Sequence, residues 1–222
     1  MNPTKVVPVA VIALLCVFAT GVALAADKVE AIGALTNGPD AVRAAVVEKG
    51  YRVALADGKV AAELWPAKDV AAGDTAAAGG DPGAALYPVL ANGKFAGVIA
   101  LPNGGQDFRG QKIAAGTYTL RYCLLPSDGN HMGVAPNRDF FLLVPVDSDT
   151  TPAAVITYPR LVKLSAKAAA TNHPAAFQLV APGTTSPSVA TNEQKQTIFT
   201  FELSIGGKKT PVGMIVVGTA EQ

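Results

Sequence analysis

Between Thr117 and Leu125 the apolar residues Tyr118, Leu120, Tyr122 and Leu124 alternate with Thr117, Thr119, Arg121 and Cys123. This is the period-two pattern of a strand with one face in a core and the other partly wet. Phe140 to Val144 has no alternation, as expected of a strand covered on both faces near the middle of a sheet. The two strands are expected to pair. The thirteen residues joining them, 126–138, read PSDGNHMGVAPNR. They are too rich in Pro, Gly, Asn and Asp to extend either strand, and the segment exceeds the usual hairpin loop of about two to five residues.

Similar patterning runs along the rest of the chain. An apolar run, Val29 to Leu35, precedes a short helix punctuated by Pro39 near its start, Asp40 early, Lys49 late and Gly50 as terminator. Tyr51 to Leu55 and Val60 to Trp65 flank Asp57-Gly58, and Tyr87 to Leu90 and Phe95 to Leu101 flank Asn92-Gly93. Both dipeptides tolerate the positive φ of a tight turn, so two hairpins are predicted. Ala67 to Ala85 is nearly all Ala, Gly, Asp and Pro apart from Val70, and is read as a surface loop. Asp147 to Pro152 is a polar turn. Tyr158 to Thr171 places Leu161, Leu164, Ser165 and Ala168 on one face and Arg160, Lys163 and Lys167 on another, the signature of a helix packed on a sheet. Asn172-His173-Pro174 ends it. Phe177 to Val180 reads as a strand, Ala181 to Gln196 as a polar loop, and Thr197 to Ile205 with Val212 to Val217 as a last hairpin across Gly206-Gly207.

The pattern implies roughly eight to ten strands and two short helices. Strands joined mainly by tight turns argue for a mainly β, single-domain antiparallel β-sandwich rather than a parallel α/β sheet. Immunoglobulin-like and jelly-roll topologies are not separated by the pattern, and no internal repeat is visible.

Composition changes the picture at the N-terminus. Lys5 supplies a positive charge, Val6 to Leu24 is apolar, and Ala23-Leu24-Ala25 offers small residues for cleavage before Ala26. Residues 1–25 are therefore expected to be a cleaved secretory signal, with 26–222 as one domain that is periplasmic, in the cell envelope, or extracellular. Cleavage removes one of the 18 basic side chains, leaving 17 against 17 acidic ones. This balance argues against nucleic acid and anionic membrane surfaces as partners. No stable membrane span is expected after cleavage. Cleavage also removes Cys16, so Cys123 stands alone and no intramolecular disulfide can form.

The candidate chemistry sits in two loops. The binding candidates are Asp128, Asn130, His131, Met132, Asn137 and Arg138 in the long loop, together with Asn172 and His173 at the helix end. If the two histidines met at one end of the sheet, His131 and His173 with a sulfur ligand would suit copper or zinc; otherwise each histidine fixes its own loop. Cys123 lies two residues from Arg121, whose cation would lower the thiol pKa and allow a Cys123/His131 nucleophilic pair. Asp128, Asp139, Asp147 and Asp149 surround the central strands, but the remaining ligands of a calcium loop are missing. They are read as turn residues bonded to their own backbone. A single tryptophan, Trp65, argues against a carbohydrate platform. The first reading is a non-enzymatic binding or interaction module for a protein or small molecule, without a cofactor. The second is a small copper- or zinc-binding protein, and the third a Cys/His-dependent enzyme.

Overall fold

The computed structural model describes residues 26–73, 85–125, 135 and 137–219. The expected signal, residues 1–25, and Asp128, Asn130, His131 and Met132 lie outside the described residues. The strands are β1 (Lys28–Ile32), β2 (Gly50–Ala54), β3 (Val60–Pro66), β4 (Phe95–Leu101), β5 (Gly105–Gln106), β6 (Lys112–Ile113), β7 (Gly116–Leu124), β8 (Asp139–Pro145), β9 (Ala176–Val180), β10 (Ser188–Thr191), β11 (Thr197–Ile205) and β12 (Lys208–Val217). Helix α1 spans Asp40–Ala45 and α2 spans Tyr158–Ala169. Ten strands form one sheet in the order β1-β2-β3-β4-β7-β8-β9-β12-β11-β10, while β5 and β6 make a separate ribbon. The mainly β, antiparallel architecture with two helices is as the pattern predicts. The sheet curls until its edge strands β1 and β10 touch, giving a nearly closed, barrel-like shape.

Alternation along the strands fills this curl. Val53, Leu64, Ile99, Leu120, Tyr122, Phe141, Leu143, Phe177, Leu179, Phe199, Phe201, Val212 and Met214 form the inner core. The Asp57-Gly58 turn forms as expected, with Gly58 at φ +82° and the Asp57 carboxylate accepting the Lys59 N–H at 2.9 Å. The pairing of β7 with β8 places Cys123 opposite Phe140, Arg121 opposite Leu142 and Thr119 opposite Val144. These residues point away from the inner core.

That outer face corrects the first expectation. Thr119, Arg121 and Cys123 are all buried rather than partly wet. Helix α2 and the 149–156 segment cover them. Along α2, Leu161, Ser165, Ala168 and Ala169 are buried. Ser165 is small enough for close approach, and its hydroxyl donates to the Ala175 carbonyl at 3.0 Å. Ala170, in the left-handed region at φ 50°, stops the helix. A second, outer cluster results, built from Phe108, Cys123, Phe140, Leu142, Val144, Ile156, Leu161 and Ala176.

Arg121 fastens the 149–154 segment to the barrel. Its Nε donates to Asp149 Oδ2 at 2.8 Å, and its Nη2 to Asp149 Oδ1 at 2.7 Å and the Thr151 carbonyl at 3.0 Å. Its Nη1 donates to the carbonyls of Ala154 at 2.6 Å and Gly93 at 3.0 Å. All five N–H donors are thus engaged, and the Phe95 ring lies 5.5 Å from the guanidinium. Asp149 also accepts the Thr119 hydroxyl at 2.6 Å. It is therefore a buried counter-ion and not a self-bonded turn residue.

Asp139 is corrected in the same way: its carboxylate accepts the N–H groups of Leu86 at 2.9 Å and Tyr87 at 3.1 Å, and the Tyr122 hydroxyl at 2.7 Å. This anchoring explains why Tyr87 to Leu90 is not a strand. The segment is a plug: Leu90 is fully buried, and the Tyr87 hydroxyl donates to the Val180 carbonyl at 2.9 Å and accepts the Gly213 N–H at 3.0 Å. Gly93 does have positive φ, at +76°, but β4 pairs with β3 and β7. At Gly93 a Cβ would lie 2.0 Å from the Ile156 carbonyl oxygen, so glycine serves close backbone approach instead of a hairpin. Three smaller differences follow from tertiary pairing. Helix α1 stops at Ala45 because Val46 bridges Ala67, leaving Gly50 to open β2. Val70 is buried and bridges Ile205, anchoring the start of the Ala-rich segment, whose residues 74–84 lie outside the described residues. The polar stretch 181–196 contains the edge strand β10, paired to β11.

Candidate binding pocket on the outer face

A pocket of about 340 Å³ opens between α2 and the outer face of β7, β8 and β9. Its floor is Cys123, Phe140, Leu142 and Ala176, and Tyr158 and Val162 from the first turns of α2 form one wall. Phe108, Arg109 and the turn Asn172-His173-Pro174 form the other, and Leu125 closes one end. Cys123 and Ala176 are small. Beside the rings of Phe108 and Phe140, whose centroids are 4.7 Å apart, they leave a volume that larger strand residues would fill. The size is at the lower end of the range for small-molecule sites, about 300–1,000 Å³, and the mainly apolar lining with few polar groups is also typical.

The wall carrying Arg109 is organised by Asp107, which is fully buried. Its carboxylate accepts the N–H groups of Arg109 at 3.0 Å and Gln111 at 2.9 Å, together with the Gln111 side-chain amide at 2.5 Å. The Phe108 N–H donates to the Ala176 carbonyl at 3.2 Å, seating the loop beside β9. Arg109 lies at the rim, its guanidinium 5.3 Å from the Phe108 ring and its Nη2 donating to the Pro174 carbonyl at 2.9 Å. Asp107 Oδ2 is 3.9 Å from the same Nη2. The facing turn is held by Thr171, whose hydroxyl accepts the His173 N–H at 3.1 Å and lies 2.8 Å from Gln111 Oε1.

The structure brings together some of the residues selected from sequence. Asn172 and His173 line the pocket with Cys123, and both are exposed at its rim. The His173 backbone, not its ring, makes the bond that fixes the turn. Leu125, the last described residue before the long loop, lines the pocket, and Ala135 near the loop's end packs on the outer cluster. Asn137 accepts the Asp139 N–H at 3.2 Å, and Arg138 Nε donates to the Leu125 carbonyl at 2.7 Å. Both residues brace the end of the hairpin. Whether His131 approaches His173 lies outside the described residues. Among the described residues no three His, Cys, Asp or Glu side chains are grouped to hold a metal ion.

Cys123 differs from expectation. The Arg121 cation two residues away is committed to Asp149, so it does not activate the thiol. Burial instead pushes Cys123 up to about 12 from its ordinary value of 9.0. The thiol is a small apolar floor residue. Phe108 and Arg109 were not among the residues selected from sequence; the available signal was Asp107-Phe-Arg-Gly110, whose Asp and Gly mark a turn held by its own carboxylate.

No family model, curated protein or solved structure matches this chain.

Proposed function

We propose that the protein is an exported, non-enzymatic binding module of the cell envelope or extracellular space, and that the outer-face pocket is where it binds a small apolar molecule. The observation carrying this reading is the roughly 340 Å³ apolar volume held open between α2 and the sheet. It is walled by anchored elements: α2 through Ser165, and the 107–111 loop and the facing turn through Asp107, Thr171 and the Arg109–Pro174 bond that joins them. Preformed walls avoid much of the ordering cost of binding. Export is supported by the charged start, apolar run and small-residue end of residues 1–25, and by the neutral balance of the rest.

N-phenyl-1-naphthylamine, a neutral apolar fluorophore, tests the pocket. Its emission should rise on binding to the purified protein. Val162→Trp, which fills the space under α2, should lower that affinity at least about tenfold, the scale of one lost anchor contact. Absence of binding, or binding unchanged in Val162→Trp at unchanged stability, would remove the pocket as the site.

A further inference from the structure

We infer that the ligand of this pocket is a small amphipathic carboxylate, its apolar body lying on Phe140, Phe108 and Val162 and its carboxylate held at the rim by Arg109. The inference rests on the binding reading above and adds the chemical class of the ligand.

Arg109 is positioned before any ligand arrives. The Phe108 ring supports its guanidinium plane, and one N–H is tied to the Pro174 carbonyl. Asp107 lies 3.9 Å from Nη2, and its carboxylate also accepts three N–H bonds from Arg109 and Gln111. Among the described residues the Arg109 Nε and Nη1 donors have no acceptor, and its side chain is 37% exposed. A planar fork with unspent donors beside an apolar trough matches a carboxylate, which can accept two parallel N–H bonds. The surroundings favour an anion. His173 and Asn172 share the rim with Arg109, and among the described residues no acidic side chain lines the pocket. Among the described residues the only carboxylate against Arg109 is Asp107, 3.9 Å from Nη2 and beyond hydrogen-bond distance. The apolar floor selects a hydrocarbon or aromatic body, because Cys123, Leu142 and Ala176 offer no hydrogen-bonding group suited to a sugar or a second charge.

Competition against N-phenyl-1-naphthylamine at pH 7.5 tests this with two probes of one chain length, decanoate and 1-decanol. Decanoate should displace the fluorophore at a concentration about tenfold or more below decanol, as expected for hydrogen bonds to a charged group. Arg109→Gln should erase that advantage and leave decanol unchanged. Arg109→Lys, which keeps the charge but not the fork, should retain only part of it. Equal displacement by the two probes, or a decanoate advantage surviving in Arg109→Gln, overturns the carboxylate assignment while leaving the pocket intact. Failure of the fluorophore and both probes to bind overturns the pocket and this inference with it.

Discussion

Arg121 shows how much one side chain can organise when it is buried with all its donors engaged. Removing either partner of such a pair leaves an uncompensated charge, so Arg121→Ala and Asp149→Ala should each cost about 3–5 kcal/mol. Denaturant unfolding of the two single variants and the double should show strong non-additivity, the double costing well below the sum; additive losses would mean that the two groups act separately. Gln178 is the opposite case. It is buried and, among the described residues, its Nε2 has no acceptor, so Gln178→Met should leave stability unchanged or raise it by about 1 kcal/mol. A loss above about 1 kcal/mol by denaturant unfolding would show that the amide is bonded in solution. Cys123, Tyr87 and Tyr122 contribute to the alkaline limit, burial and the Asp139 carboxylate raising the Tyr122 phenol furthest. Burial pushes Cys123 and Tyr87 each up to about 12, from 9.0 for the thiol and 10.0 for the Tyr87 phenol. The folded chain then holds both protons more tightly than the unfolded chain. The associated stability is intact below pH 9 and is lost as pH rises toward 12, at about 1.4 kcal/mol per pH unit per group. Unfolding midpoints at pH 8 and pH 10.5 should show this fall, shallower in Cys123→Val; a flat profile, or one identical in the variant, would contradict it.

At the scale of elements, β8 is the axis of the molecule, packed on its inner face by the barrel core and on its outer face by α2 and the pocket. Phe141 is fully buried, and Phe141→Ala should cost about 3–5 kcal/mol in denaturant unfolding; a loss under about 1 kcal/mol would place β8 at the margin. Strands β7, β8, β11 and β12 were legible because their patterns are long and their pairings local. The segment at Tyr87 was misread because its partners, Asp139 and Gly213, lie far along the chain and no local pattern separates a short strand from a plug. Strand β10 was missed because Ser188-Val-Ala-Thr191 is a short edge strand, half polar, with nothing to distinguish it from loop. Helix α2 was visible from its periodicity, but the cover it gives to Thr119, Arg121 and Cys123 was not, since alternation reports polarity and not what lies above it. The pocket was half legible: Asn172 and His173 were singled out as binding candidates and Cys123 for thiol chemistry, while Arg109 depended on a turn whose ties to β9 are tertiary.

At the scale of the whole molecule, a curled ten-stranded sheet with touching edges leaves short exposed edges, and its one face covered by a long helix is also the face with the apolar pocket. The binding surface we propose would then sit on a rigid scaffold. If export is correct, N-terminal sequencing of protein from the envelope or medium should begin at Ala26. Protein that keeps residues 1–25, or that is found only in the cytoplasm, would contradict it. The most direct test of the account is methyl NMR of the purified protein titrated with N-phenyl-1-naphthylamine. Ring-current shifts should concentrate on Leu125, Leu142, Val162 and Ala176, which line the pocket. Shifts gathered instead on Val60, Ile113, Val216 and Val217 around the hollow beside β3, β6 and β12, or no shifts at all, would contradict it.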